Sequence, residues 1–382
     1  MTLDVHSPMF SIILHTYFRP HFLEQSVRAI LNQTYDNLEI ILIDNGSTEE
    51  TKELLYEYQK KDKRVKLLHF EVNQFRWDDP HYLIDVCYNA ALEMSTGDYI
   101  WHQDDDDFIA EDYIEKMVNL FQGNSECISA AGLAVSIDIK GNVKKNEIYE
   151  RKSNYRPQYM PGHILALECL KRKNAIYSSP GQIFSFKRDV LIKSGGFHKT
   201  YEYHQLYGII PFGITGFDET AYFFWRRHEG QLNIKLSSQG WIGTKEIFSM
   251  VEDLNTEDKW SVFGADTARY VVNQIERNQI RVAANWFVIN LFALRVKGSL
   301  KILKDIWCKI YFWLYVPSFF WKHIIIIMSR TKNIFKNIFS LIKLKSLIKF
   351  IIKPIINVTQ EKWPRLKKRS VLFNKIFLKV NR

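Results

Sequence analysis

The sequence predicts an α/β fold built on a mostly parallel central sheet. Two observations carry this. Short apolar runs alternate with helix-spaced segments through the first 110 residues, and turn-forming or capping residues punctuate the alternation. Strands separated by helices at this spacing make βαβ units, and in such sheets ligands bind beyond the carboxyl ends of the strands.

The elements follow in order. Residues 10–15 (FSIILH) read as a buried strand, and Phe22, Leu23, Val27, Ile30 and Leu31 recur at helical spacing after Pro20. Residues 39–44 (EIILID) form the second strand. Ser47 or Thr48 caps the next helix, whose first turn carries Glu49 and Glu50. Residues 65–70 (VKLLHF) are the third strand, 82–94 a helix and 98–102 (DYIWH) the fourth strand. Further on, 111–121 reads as a helix and 125–150 as strands around a Lys140-Gly141-Asn142 turn. Residues 217–227 look helical, and 255–297 are largely helical.

Composition narrows the class. At 46% hydrophobic and 25% charged, the 382 residues are neither disordered nor collagen-like. The net charge of +10 is unevenly spread. From Val296 to Arg382 there are 20 basic and two acidic residues, a local balance of +18, so the body is mildly acidic. Cys87, Cys127, Cys169 and Cys308 are widely spaced, with no CxxC pair, which predicts neither a zinc site nor a disulfide framework. The N-terminus lacks a basic leader followed by a cleavable apolar stretch, and no uncharged run reaches the ~18–20 residues of a membrane span. A cytoplasmic location is therefore expected.

Asp104-Asp105-Asp106-Asp107 is the most informative segment. Four adjacent carboxylates at the end of a buried strand repel one another, and a hard divalent cation relieves that cost. Asp104 and Asp106 point the same way if the backbone is extended. The second segment is 42–48 (LIDNGST). Asp44 closes a strand there, ready to accept from a ribose hydroxyl or a base N–H, and Gly46 permits a positive φ or a close backbone approach.

Together these segments resemble the inverting nucleotide-sugar glycosyltransferases of family 2, which have the GT-A fold. Four stretches match in order: residues 10–20 (FSIILHTYFRP), 29–48 (AILNQTYDNLEIILIDNGST), 88–107 (YNAALEMSTGDYIWHQDDDD) and Gly195-Gly196-Phe197. The resemblance implies a nucleoside diphosphate sugar bound by Thr16, Tyr17, Arg19, Asp44, Asn45, Arg76, Asp104 and Asp105. It implies Mn²⁺ or Mg²⁺ on Asp104 and Asp106. His15 stands where the family usually has Pro, Phe18 where it has Asn, and Asn45 where it has a second Asp.

An inverting transfer is an in-line displacement that needs one carboxylate to take the acceptor's proton. The expected position is the start of a helix in the second half, at 216–227 (GFDETAYFFWRR), which leaves Asp218 and Glu219 as equal candidates. Arg226 or Arg227 would orient the acid or meet the pyrophosphate. The aromatic stretch 201–217 reads equally as an acceptor wall or as core, and Trp241 is a weaker candidate of the same kind. The competing readings are a nucleotidyltransferase, which would want a Gly-rich phosphate loop where 15–20 has none, and a catalytically silent scaffold.

In the tail, Ile334, Phe335, Ile338, Phe339, Leu341 and Ile342 recur at near-helical spacing among Lys332, Lys336, Lys343 and Lys345. Such amphipathic basic helices suit an anionic leaflet, and the bulky aliphatics argue against nucleic acid. The expected organisation is a GT-A domain over 1–250, with a nucleotide half at about 8–121 and an acceptor half at about 122–250. A helical extension over 251–297 and a basic amphipathic membrane-associating tail over 298–382 follow. A glycan or lipid-linked acceptor at the inner membrane face completes the expectation.

Overall fold

The structure, a computed structural model, describes residues 7–77, 79, 82–148, 157–171, 181–198, 203–231, 255–292, 299 and 310–330. The chain divides into two compact units, Met1–Lys235 with Lys245–Glu276, and Leu236–Thr244 with Arg277–Arg382.

The first unit opens with four parallel strands: β1 (Phe10–Thr16), β2 (Leu38–Asn45), β3 (Val65–Phe70) and β4 (Tyr99–Asp104), ordered β3-β2-β1-β4. The apolar runs of β1 and β2 are continuous because both faces are covered, whereas β3 at the sheet edge is only partly buried. Ile12, Ile13, Leu14, Ile40, Ile41, Leu42 and Ile43 are fully buried. Between them run α1 (Pro20–Leu31), α2 (Glu49–Lys61) and α3 (Asn89–Met94). Leu23, Val27 and Ile30 of α1 face the sheet at helical spacing. A π-type turn at Ile84–Tyr88 precedes α3.

Beyond β4 the sheet becomes mixed. β5 is Phe108–Ile109, α4 is Tyr113–Gly123, β6 is Cys127–Ile137, β7 is Val143–Ile148 and β8 is Tyr159–Pro161. Then come α5 (Gly162–Leu170), β9 (Phe184–Lys187), α6 (Arg188–Lys193) and β10 (Ile214–Arg226). β9 is antiparallel to both β4 and β6, so β6 and its parallel partner β10 run in the same sense as β4. The carboxyl ends of β1, β2, β4 and β10 therefore open on one side of the sheet.

Residues 217–227 are not the helix the sequence suggests: 217–226 are strand. Ala221 and Phe223 are fully buried while Tyr222 between them is exposed, the period-two pattern of a pleat. Aromatic residues favour that setting. The register slips between Phe217 and Tyr222, and Asp218 and Glu219 lie in this bulge.

The stretch after 203 is mainly core. Tyr207, Ile209 and Ile210 are buried, and Tyr207 accepts a backbone hydrogen bond from Trp260 Nε1. In the second unit Phe287 packs edge-on against Phe312 of the helix Ile310–Arg330. No helix among the described residues is long and apolar enough to cross a membrane. Residues 331–382, which hold most of the basic tail, lie outside the described residues, as do Trp241 and Tyr201.

Candidate active site

The acidic run sits where β4 ends. Asp107 N–H donates to Asp104 O, so the chain turns through Asp105 and Asp106 rather than running extended. The carboxylates of Asp104, Asp106 and Asp107 thereby converge, with ligand atoms all within 4.8 Å of one another. Asp104 and Asp106 meet as the sequence suggests, but through a turn, and Asp107 joins them. Asp105 is turned away. It accepts from Thr16 Oγ1 at 2.6 Å, from Tyr17 N–H at 3.4 Å and from Arg19 at 3.2 Å.

Neighbouring elements hold the turn in place. Ser26 Oγ donates to the Asp105 and Asp107 carbonyls, and Gln103 Nε2 donates to Asp107 O at 2.9 Å. Asp104 accepts from Tyr88 Oη at 2.9 Å and from Gln182 Nε2 at 2.8 Å. Asp106 lies between two basic groups, Arg19 Nη1 and His228 Nε2, each at 2.9 Å. Arg19 Nη2 also donates to Gly230 O at 3.4 Å, which fastens the loop after β10 over the site.

Electrostatics follow from this geometry. Burial, added to the charge of Asp106, raises Asp104 above the usual carboxylate range. Burial also raises Asp107, well above it, with the charges of Asp106 and Asp104 contributing. Burial pushes Asp105 up to about 7, although Arg19 opposes the shift. At Asp106 burial acts in the same direction, but the hydrogen bond from His228 and the charge of Arg19 outweigh it and hold the carboxyl low. An all-oxygen set of three converging carboxylates, two of them reluctant to ionise, is the donor set a hard divalent cation takes.

A second cluster lies at the end of β2. Asp44 Oδ1 accepts from Ser47 N–H at 2.8 Å, and Oδ2 lies 2.7 Å from His69 Nδ1. Gly46 has φ +74°, and a Cβ there would lie 2.6 Å from Asn73 N, so only glycine fits. Phe18, with its ring 60% exposed, has φ +59°. Asn tolerates this left-handed backbone, whereas a bulky residue adopts it at a cost of roughly 1–2 kcal/mol.

Residues 11–191 match the family model described as glycosyl transferase family 2. This stretch, just under half of the chain, belongs to that family. An uncharacterized glycosyltransferase of Haemophilus influenzae is 37% identical over 151 residues, which is 40% of this chain and 57% of the relative. The putative teichuronic acid biosynthesis glycosyltransferase TuaG of Bacillus subtilis is 29% identical over 128 residues, 34% of this chain and 48% of TuaG. The chain thus spans about half the length of these curated relatives. A crystal structure of S. aureus TarS 1-349 in complex with UDP-GlcNAc superposes with a TM-score of 0.56 at 12% identity, covering 81% of this chain and 82% of TarS. That likeness is one of fold, and it supports the GT-A architecture.

Within this family 2 framework, the structure gathers Thr16, Tyr17, Arg19, Asp104, Asp105 and Asp106 around one turn. Asp44 lies on the neighbouring strand end, since Thr16 pairs with Asp44 and His15 with Asp104. Four expected residues are placed differently. Asn45 is absorbed by the 73–75 loop: its Oδ1 accepts from Gln74 N–H at 2.8 Å and its Nδ2 reaches Asn73. Arg76 lies over the Tyr82 ring, 3.5 Å from its centroid. Asp218 and Glu219 are remote from the acidic turn. Between Phe217 and Arg226 the partner strand advances from Ala131 to Ile137, about 20 Å of strand. Asp218 instead accepts from Thr220 N–H and Oγ1. The residue of this strand that reaches the acidic turn is Arg226.

Sequence reading missed His228, Gln182 and Ser26. For His228 a signal was present: Arg226-Arg227-His228 is a polar cluster directly after an apolar strand, and the strand's end is the expected binding edge.

The shifts carry a pH prediction. Asp104, Asp105 and Asp107 titrate higher in the fold than in an unfolded chain. Their stabilising contribution is full below the ordinary carboxylate value and is lost as pH rises, through about 7 for Asp105. Buried His15, lowered to about 4, and His102 and His204, lowered to about 3, act oppositely and cost stability as pH falls below their ordinary value. In EDTA, Tm should therefore decline above about pH 6. Saturating Mn²⁺ should raise Tm by about 5–10 °C at pH 8 and by clearly less at pH 5. Equal gains at both pH values would contradict the site.

Proposed function

We propose that the chain is an inverting, metal-dependent glycosyltransferase. It moves a sugar from a nucleoside diphosphate sugar to a hydroxyl of a glycan or lipid-linked acceptor in cell-surface polysaccharide or lipopolysaccharide assembly. The observation that carries this reading is the buried Asp104–Asp106–Asp107 triad at the binding edge of the sheet, with Arg19 and His228 against it. The teichuronic acid biosynthesis for which TuaG is named supports the direction.

Each group has a task in this reading. Asp104, Asp106 and Asp107 would hold Mn²⁺ or Mg²⁺. When bound, such an ion supplies Lewis-acid stabilisation of the charge gained by the leaving diphosphate. Asp44 accepts from the base or ribose, with its carboxylate oriented by Ser47 N–H and His69. Tyr17, 45% exposed at the rim, offers a ring face to the nucleoside. Arg19 is free to trade its carboxylate partners for phosphate oxygens, which it can grip bidentately. Asp218 and Glu219 are too far up β10 to take the acceptor's proton, so another segment supplies the base.

Residues 298–382 are proposed to hold the enzyme against anionic lipid at the inner membrane face. The test has two arms. A thermal-shift screen of UDP-, GDP- and dTDP-sugars with Mn²⁺ should find at least one donor that stabilises the chain only when metal is present; no such donor would sink the enzymatic reading. Co-sedimentation with phosphatidylglycerol vesicles should be lost when residues after about 296 are deleted, and retained binding would refute the tail's role.

A further inference from the structure

We propose that Gln182 reads the donor sugar: its amide N–H holds Asp104, while its carbonyl oxygen accepts a hydrogen bond from a hydroxyl or amide N–H of the sugar. This rests on the nucleotide-sugar reading above and adds to it the group that tells a sugar nucleotide from a bare nucleotide.

Gln182 lies in a single turn, Gly181–Ile183, leading into β9. The backbone of that turn is fixed from below. Trp101 Nε1 donates to Gln182 O and Tyr113 Oη donates to Ile183 O, and both rings are wholly buried. From this base the side chain reaches Asp104, with Nε2 donating to Oδ2 at 2.8 Å. With Asp104 ionised, as a cation on the triad would keep it, that carboxylate only accepts hydrogen bonds, so the amide presents its N–H side to it. The amide is planar, and its oxygen and nitrogen are held a little over 2 Å apart, so Oε1 lies within about 5 Å of the Asp104 carboxylate.

Oε1 is buried and meets no donor among the described residues. Its orientation is forced by Asp104, so it cannot flip to find a partner elsewhere. A buried acceptor without a donor is costly, and such groups gather where a ligand completes them. The position suits a sugar. If Asp104 helps hold the diphosphate through a cation, the anomeric carbon is one bridging oxygen from the second phosphorus. The first ring substituents then fall within reach of a fixed acceptor beside Asp104. Every hexose offers an O–H in that region, and an acetamido sugar also offers an N–H. A water held at the metal could donate to the same oxygen, and the experiment separates these two sources.

Binding is measured by calorimetry with Mn²⁺ for two pairs of probes, UDP against UDP-GlcNAc and GDP against GDP-mannose. Gln182→Met removes both amide functions. Gln182→Lys keeps a donor for Asp104 and removes the acceptor, so it stands in if the methionine variant folds poorly. Tyr88→Phe removes the other donor to Asp104 and calibrates the cost of disturbing that carboxylate. For the pair that the wild type binds, Gln182→Met and Gln182→Lys should weaken the sugar nucleotide about tenfold more than the free diphosphate. Tyr88→Phe should weaken both members equally. Equal weakening of both members by the Gln182 variants would overturn the proposal and leave Gln182 as a support for Asp104 or its water. Wild-type binding of the diphosphates but of neither sugar nucleotide would overturn the donor reading itself.

Discussion

Asp106→Ala should abolish Mn²⁺-dependent binding of the donor and lower turnover by about a thousandfold or more. In the proposed reaction the diphosphate leaves with added negative charge, and a cation on the triad offsets it. Losing about 4 kcal/mol of that stabilisation corresponds to about three orders of magnitude in rate. Asp106 is the member whose carboxyl His228 and Arg19 hold low, so it stays charged where Asp104 and Asp107 are pressed toward the neutral form. The contrast is Asp105→Asn. Asp105 points away from the triad, toward Thr16, Tyr17 and Arg19. That variant should lose donor affinity by a smaller factor and keep its response to Mn²⁺. Removing Asp106 relieves Asp104 and Asp107 but unpairs Arg19 and His228, so Mn²⁺ binding and turnover are compared at temperatures well below the metal-free Tm of each variant. Turnover and Mn²⁺ response equal to wild type would dismiss the triad as a metal site.

The parallel half of the fold is legible because its central strands are buried on both faces. FSIILH and EIILID carry continuous apolar runs that no exposed element would carry, whereas the edge strand VKLLHF is only partly buried. The misread element, β10, shows the opposite case. Asp218 and Glu219 look like first-turn helix acids, and Tyr222, Phe223 and Trp225 can be read at helical spacing. The alternation Ala221-in, Tyr222-out, Phe223-in is too short to dominate that pattern, and the bulge at 218–221 hides where the pleat begins. The strand is decided by pairing with β6 and β5, contacts that lie about 90 and 115 positions away in the chain.

The same distinction divides the site. Four adjacent aspartates announce themselves, because mutual repulsion at a strand end needs a reason. Asp44 is visible as the polar end of an apolar run. The groups that complete the centre are separated from the aspartates by long stretches of chain: Ser26 by 79 positions, Gln182 by 78 and His228 by 122. Each is an ordinary residue type in an ordinary local pattern. Asn45 and Arg76 show the converse. Their types suit a nucleotide, but a neighbouring loop backbone and a tyrosine ring engage them.

Arg226 is where a structural residue should have the largest effect on the site. It is only 2% exposed, yet among the described residues its guanidinium makes no ion pair. Nε donates to Asp106 O at 2.7 Å, Nη1 to Ile139 O at 2.9 Å and Nη2 to Gln25 Oε1 at 2.5 Å. Its backbone N–H donates to Asp107 Oδ1 at 2.8 Å, and the rings of Phe22 and Phe108 flank it. One side chain thus joins the acidic turn, α1 and the 138–139 turn. Arg226→Met fits the same space and keeps the aromatic contacts, but it strands the Asp106 and Ile139 carbonyls and the Gln25 oxygen. Of these acceptors only the Asp106 carbonyl is deeply buried, while Ile139 and Gln25 are exposed enough to turn to water, so a loss of about 1–3 kcal/mol and a fall in Tm of about 5 °C are expected. Arg226→Lys keeps the charge but reaches only one of the three acceptors, and should fall between the methionine variant and the wild type. Because Nε holds the backbone of Asp106, Mn²⁺ affinity should drop in both variants at temperatures well below their Tm. Gln25→Ala, which removes one partner at the far side, should lower Tm without changing Mn²⁺ affinity. If Arg226→Met melts like wild type, or loses stability while binding Mn²⁺ unchanged, Arg226 does not position the acidic turn.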